Sequence, residues 1–225
     1  MAADRPSYPP AYRALVLIST PIMTLWSRLE VSGLDRLPAT GPVLIVADHD
    51  SYWDPLAIAV AARKVRSIRA LAKASLWSNK IAAAVMDSMG HIPVDRGAGN
   101  DAAMATAVEK LRAGACIGIF PEGTRSLGRP LRARSGVGRL AEAVPEAEVV
   151  CVRTTGSVDV VRAPRRPSVT VEFFRPSGGQ LQPGETPTQF AQRLVSELRE
   201  SAPYEIPGRR RTAAKFRARL GSPAG

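Results

Sequence analysis

The chain has 225 residues, 45% of them hydrophobic, and a formal net charge of +11. That apolar content suits one packed domain and excludes wholesale disorder. The basic excess calls for anionic partners, and charge alone does not choose among nucleic acid, acidic lipid, phosphorylated substrate or acidic carrier.

In chain order, the first element is an apolar stretch over residues 14–27, bracketed by Arg13 and Arg28 and interrupted by Pro21. It falls short of the roughly 20 residues that a membrane-spanning helix needs. No A-x-A-like cleavage signal follows it, only Arg28 and Glu30. At helical spacing Ala14, Leu15, Ile18, Ile22, Leu25, Trp26 and Leu29 share one arc, opposite Arg13, Thr20, Thr24, Ser27 and Arg28. Such a helix suits a membrane interface and suits equally the domain's own core.

Residues 31–38 read as a polar connector. The short apolar run 43–47, opened by Gly41-Pro42, predicts a buried strand. Asp54-Pro55 then opens a helix over 56–62. A second strand is expected at 68–73, followed by helices over 76–89 and 100–112, the latter stopped by Gly114. Residues 115–120 predict a third strand and 136–144 a further helix. Strand candidates at 148–154 and 168–174 flank a Pro- and Arg-rich stretch, and 188–200 is the last helix. Short strands alternating with helices argue for one α/β domain.

Cys116 and Cys151 each lie in an apolar, β-like run, which predicts buried free thiols and a reducing, cytoplasmic setting. Their spacing to His49 and His91 gives no zinc pattern. The run 209–219 carries six basic residues and no acidic one. It reads either as a solvated tail or as an anchor for anionic headgroups. Nucleic acid is not expected, because the run holds one aromatic and no recognisable module.

Three segments carry chemistry. His49 follows a strand and precedes Asp54 by five residues, a spacing that forms a base–orienter pair or, more blandly, a histidine beside a helix N-cap. Gly123, in the turn after the third strand, lets backbone amides face an anion, with Arg125 as a forked donor and Thr124 and Ser126 as hydroxyls. Residues 90–97 form a Gly/Pro-bounded loop holding Asp95 and Arg96. His91 there ranks below His49 as a base, having no carboxylate placed similarly downstream.

In this order the segments resemble the lysophosphatidate acyltransferase (PlsC-like) family of glycerolipid acyltransferases. Its H-x4-D motif is matched by His49-Asp50-Ser51-Tyr52-Trp53-Asp54, its G-x-I-x-V-D-R block by residues 90–96, and its F-P-E-G-T-R-S block by residues 120–126. The resemblance covers roughly residues 31–157. It implies an α/β fold with a mixed, largely parallel sheet flanked by helices. With the residue pattern at either side, the chain divides into an amphipathic or interfacial helix (1–30), an acyltransferase domain (31–201) and a basic tail (202–225).

The implied reaction moves an acyl group from acyl-CoA or acyl carrier protein to the free hydroxyl of lysophosphatidate. His49 would be the general base and Asp54 its orienter. Arg96, Glu122, Gly123, Thr124 and Arg125 would line the phosphate-side pocket, and Lys73 sits where the family often carries a lysine near the reacting carbonyl. No metal or organic cofactor is implied. The implied place is the cytoplasmic face of the membrane, held peripherally or monotopically on anionic lipid.

Two departures stand out. Asp48 replaces the Asn or Ser usual before the histidine, and Asp50 follows it. Val150-Cys151-Val152 lacks the proline of the family's fourth motif and runs into Arg153. Another lysophospholipid, glycolipid or aminolipid acceptor remains an alternative, as does a basic membrane-binding protein without activity. A metal phosphohydrolase built on His49-Asp50 needs more histidines, and neither a G-x-S-x-G elbow nor a P-loop is present.

Overall fold

The computed structural model describes residues 9–95, 100–162, 164 and 166–206. Its strands are β1 (Glu30–Ser32), β2 (Val43–Ala47), β3 (Arg69–Lys73), β4 (Ile92–Val94), β5 (Cys116–Ile119), β6 (Glu148–Thr155) and β7 (Thr170–Phe174). They form one sheet in the order β1-β7-β6-β2-β5-β3-β4. Every neighbouring pair is parallel except β6–β7.

A parallel strand covered on both faces needs a continuous apolar run rather than an alternating one. β2 has that run and is buried along its whole length. Leu44 and Val46 pack on one side with α4 (Asp101–Arg112), α5 (Gly136–Ala143) and α6 (Pro187–Glu200). Val43, Ile45 and Ala47 pack on the other with α2 (Asp54–Ala62) and Met23. The result is a single three-layer α/β domain.

α6 shows how the sequence writes one of these layers. Phe190, Ala191, Leu194, Val195 and Leu198 recur at helical spacing and are all buried. Burying each large apolar side chain stabilises by about 1.5–3 kcal/mol. Thr186 and Gln189 close a capping box at its start, where Pro187 occupies the first turn. The packed chain continues past the helix, and Ile206 lies against Gly128.

The N-terminal segment is α1 (Pro10–Pro21) followed by a π-helical turn, Ile22–Trp26. Pro21 interrupts the regular ladder, and the Ser27 N–H donates to the Ile22 carbonyl at 2.9 Å. The apolar residues of this segment are divided between two environments. Tyr12 and Met23 are buried, and Leu15, Ile22, Trp26 and Leu29 pack partly against the core. Leu17, Ile18 and Leu25 stay 74%, 67% and 68% exposed. No helix among the described residues is long and apolar enough to cross a membrane.

Two expectations change. The helix expected over 76–89 is broken into a 3₁₀ turn, Ala74–Trp77, and α3 (Lys80–Ser88). The cause is Asn79, whose side chain accepts from the Ile81 and Ala82 amides at 2.8 and 3.2 Å and restarts the helix. β1 and β4 were not expected, since each is a three-residue strand at a sheet margin and β1 is wholly exposed. The basic run 209–219 lies outside the described residues.

Candidate active site

The carboxyl ends of β2, β3, β5 and β6 share one sheet edge, where parallel α/β sheets place their ligands. His49 follows β2, and its imidazole Nδ1 lies 2.9 Å from Asp54 Oδ2. Asp54 is 1% exposed and caps no helix amide; its carboxylate turns back over the preceding loop. The same Oδ2 accepts the Asp50 and Ser51 amides, both at 2.8 Å, while Oδ1 accepts the Ser157 hydroxyl. The N-cap account of Asp54 is thereby corrected: Ser51, not Asp54, takes the Trp53 amide. With Nδ1 held, Nε2 is the imidazole nitrogen available to accept a proton.

The segment after β5 grips the histidine's main chain from both sides. Glu122 Oε2 accepts the His49 N–H at 2.9 Å, and the Ser126 N–H donates to the His49 carbonyl at 2.8 Å. The Phe120 ring stacks on the imidazole, with centroids 4.2 Å apart. Glu122 therefore faces inward rather than toward an acceptor pocket, and burial raises its pKa against the opposing pull of Arg199. Gly123 has φ +70°, a conformation that favours glycine, and the Arg134 side chain occupies the space a Cβ would need.

The other expected residues are placed as follows. Thr124 is exposed, and the Arg125 guanidinium sits 3.7 Å over the Tyr52 ring, which projects from the His49 loop. Lys73 ends β3 and is exposed, with β5 lying between β3 and β2. Arg96 lies outside the described residues. His91 is engaged elsewhere: its Nδ1 accepts the Ala70 amide at 2.9 Å, and burial lowers its pKa to about 4. Both cysteines are buried free thiols, pushed up to about 12 by burial.

The two departures from the motif pattern also find their places. Asp48 Oδ1 accepts the Thr154 amide at 2.8 Å, and burial holds this carboxyl well above its ordinary range. Asp50 bonds the Ser126 hydroxyl. Both carboxylates point to Arg199, at 3.6 and 2.8 Å, instead of to the imidazole. Arg153, which follows the proline-less fourth motif, turns away from the edge. It donates to the Leu198 and Glu197 carbonyls at the end of α6 and pairs with Glu172 at 2.6 Å.

Sequence reasoning missed Ser157, Tyr52, Arg134 and Arg199. Asp48 and Asp50 signalled that a buried cation was needed, because two carboxylates at the end of a buried strand require a partner. Nothing in the sequence said which of its many arginines would come.

No group of histidine, cysteine, aspartate or glutamate among the described residues is arranged to hold a metal ion. His49 Nε2 can accept a proton, beside a turn that carries Arg125 and is backed by Arg134.

Known proteins resemble this chain in sequence and in fold. The chain is 25% identical over 159 residues to the 1-acyl-sn-glycerol-3-phosphate acyltransferase of Bacillus subtilis, covering 71% of this chain and 69% of that one. A protein of the same name from Borreliella burgdorferi is 35% identical over 115 residues, covering 49% of this chain and 45% of its own length. In three dimensions the chain resembles the 1-acyl-sn-glycerophosphate acyltransferase PlsC from Thermotoga maritima. That match has a TM-score of 0.63 at 18% identity and covers 85% and 78% of the two chains. It speaks for the fold. A family model, Acyltransferase, matches residues 28–171, more than half of the chain and all three motif blocks. The chain that folds its histidine, aspartate and arginine turn onto one sheet edge therefore belongs to the acyltransferase family.

Proposed function

We propose that the protein transfers a fatty acyl group from acyl-CoA or acyl carrier protein to the free hydroxyl of lysophosphatidate, giving phosphatidate in phospholipid biosynthesis. The observation that carries this reading is the His49 Nδ1–Asp54 bond at the sheet edge, which leaves Nε2 to act as general base. The acceptor hydroxyl gives its proton to Nε2 as its oxygen attacks the thioester carbonyl. The tetrahedral adduct then collapses, the carbon–sulfur bond breaks, and the thiolate takes the proton from the imidazolium.

The energetics suit this division of labour. An alcohol, with a pKa near that of water at about 15.7, is a poor nucleophile without a base. The leaving thiolate, at about 8.5, needs little help. General base catalysis supplies about 10²–10⁴-fold, and orientation supplies much of the remainder. Asp54 orients the ring and stabilises the imidazolium.

Arg125, braced by Tyr52 and helped by Arg96, holds the acceptor phosphate, with Gly123, Thr124 and Arg134 shaping the turn. Lys73 lies toward the reacting carbonyl. Glu122 acts from behind, as the anchor of the His49 amide. The exposed Leu17, Ile18 and Leu25 enter the interface of an anionic membrane, with the enzyme peripheral or monotopic on its cytoplasmic face.

The test is thiol release from acyl-CoA and from acyl carrier protein with a panel of lysolipids, the product identified by mass. Phosphatidate formation from lysophosphatidate is expected. Thiol release confined to a glycolipid or aminolipid acceptor would replace this acceptor, and no release with any pair would sink the reading.

A further inference from the structure

We propose that Arg199, beyond the span matched by the family, is a positioning residue that holds the His49 main chain in register. The proposal rests on the reading of His49 as the base. Arg199 stands in the last turn of α6 with its side chain 6% exposed. Its guanidinium bridges two carboxylates by hydrogen bonds and faces a third, Asp48, at 3.6 Å. Nη1 reaches Asp50 Oδ2 at 2.8 Å and Nη2 reaches Asp50 Oδ1 at 3.0 Å. Toward Glu122, Nε donates to Oε1 at 2.9 Å, while Nη2 donates to Oε1 and Oε2 at 2.7 and 2.9 Å. The Tyr204 ring backs the guanidinium at 4.3 Å.

Those two carboxylates are the ones that fix the histidine. Glu122 takes the His49 N–H, and Asp50 holds Ser126, whose N–H is bound to the His49 carbonyl. A single forked cation thus keeps both clamps turned inward. Without it the buried carboxylates of Asp50 and Glu122, with Asp48 beside them, lose their shared cation, and they separate or turn toward water. Either motion frees the peptide groups on the two sides of His49 and lets the imidazole leave its line to the substrate. The partners of Arg199 are carboxylates and the Tyr204 ring, not the imidazole, so it acts through position.

The strap after α6 reinforces the clamp from the aspartate side. The Glu205 N–H approaches Asp50 Oδ2 at 3.4 Å, and its carboxylate accepts the Gly156 amide, next to the Ser157 that bonds Asp54.

The experiment uses the full chain with Arg199→Lys and Arg199→Met. Lysine keeps the charge and loses the fork, so it satisfies one carboxylate at a time. For Arg199→Lys we expect kcat to fall about ten- to a hundred-fold, the scale of a roughly 1 Å misplacement, with the acceptor KM little changed. Arg199→Met is expected to lose more.

A second readout does not need turnover. The chain has two histidines, so proton NMR of the imidazole N–H region resolves the His49 Nδ1–H from any signal of His91. The His49 Nδ1–H resonance is expected to broaden or vanish in Arg199→Lys while the His91 ring resonances and the melting temperature hold. Unchanged kcat and an unchanged Nδ1–H signal in Arg199→Lys would overturn the proposal. So would a loss that appears only together with the His91 signals and the melting transition, which marks a merely structural role. If wild type transfers no acyl group at all, the acyl-transfer reading fails and the Nδ1–H comparison still decides this one.

Discussion

Asp54 illustrates how much one carboxylate can organise. It accepts from an imidazole, two buried amides and a hydroxyl, so its removal orphans several donors at once. Leaving a buried donor unsatisfied costs about 1–3 kcal/mol. Asp54→Ala is therefore expected to lower stability by about 2–4 kcal/mol, more than a lost helix cap, and calorimetry checks this. Asp54→Asn keeps the shape but disturbs the tautomer, so kcat is expected to fall by orders of magnitude in a folded protein. His49→Ala is expected to abolish nearly all thiol release and leave the melting temperature close to wild type. Near-normal turnover in that variant would remove the base.

Arg125 carries a different kind of expectation, because a phosphate remote from the reacting carbonyl contributes mostly uniform binding. Arg125→Ala is expected to raise the acceptor KM about ten- to a hundred-fold, equivalent to a charge-assisted bond of about 1.5–3 kcal/mol. Arg125→Lys is expected to recover part of this, since an ammonium cannot reproduce the fork or its stacking on Tyr52. Paired assays with phosphorylated and non-phosphorylated monoacyl acceptors decide it. A mutant that keeps the full preference for phosphate would move the pocket elsewhere.

Among elements, α1 and the π-helical turn after it have an outward apolar stripe left exposed among the described residues. Replacing Leu17, Ile18 and Leu25 together by serine is expected to weaken vesicle binding strongly and leave thermal stability unchanged or raised. Each large apolar side chain withdrawn from a lipid interface forfeits up to about 1.5–3 kcal/mol. Cosedimentation with anionic vesicles at low and high salt measures it, and unaltered binding would place the contact elsewhere. Elements also show where the sequence could be read. β2 and α2 were legible because a continuous apolar run and an Asp-Pro opening are local signals. β1 was not, since three exposed residues show no alternation, and α3 began late because one asparagine side chain outcompeted the helix ladder. The spacing of five between His49 and Asp54 left a pair or an N-cap open, and the H-x4-D resemblance pointed to the pair. Arg199 meets Asp50 across 149 residues of chain, a distance over which neither spacing nor periodicity carries information.

For the molecule as a whole, the two ends of the sheet have separate work. At the amino edge, buried Arg66 ties its own loop to two others by donating to the carbonyls of Pro38 and Gly41 at 3.1 and 3.0 Å and of Gly114 at 2.8 Å. At the carboxyl edge the strap after α6 introduces a pH dependence. Burial pushes the Glu205 carboxyl up to about 7, with the Asp50, Asp159 and Asp54 charges adding to it and the Gly156 amide opposing. A folded pKa raised above the unfolded value gives stability that is fully present below the unfolded value, near 4.5, and is lost as pH rises through about 7. Glu205→Gln keeps an oxygen for the Gly156 amide and removes the charge. Its melting temperature is expected to exceed that of wild type above pH 7 and to converge with it near pH 5. Equal differences at both pH values would show that ionisation is not involved.

The position of Arg199 in the chain has a consequence for synthesis. Translation at roughly 5–20 residues per second separates the appearance of Asp50 from that of Arg199 by about 7–30 seconds. Throughout that interval the nascent chain already holds its histidine, its aspartate and, later, its arginine turn, but Asp50 and Glu122 have no shared counter-ion. A product released early, at residue 171, would contain every motif by which the family is known. Its base would still hang on two carboxylates with nothing between them. If Arg199 positions the histidine as proposed, competence to acylate is deferred to the last described helix, and a chain cut short of it is expected to be inert.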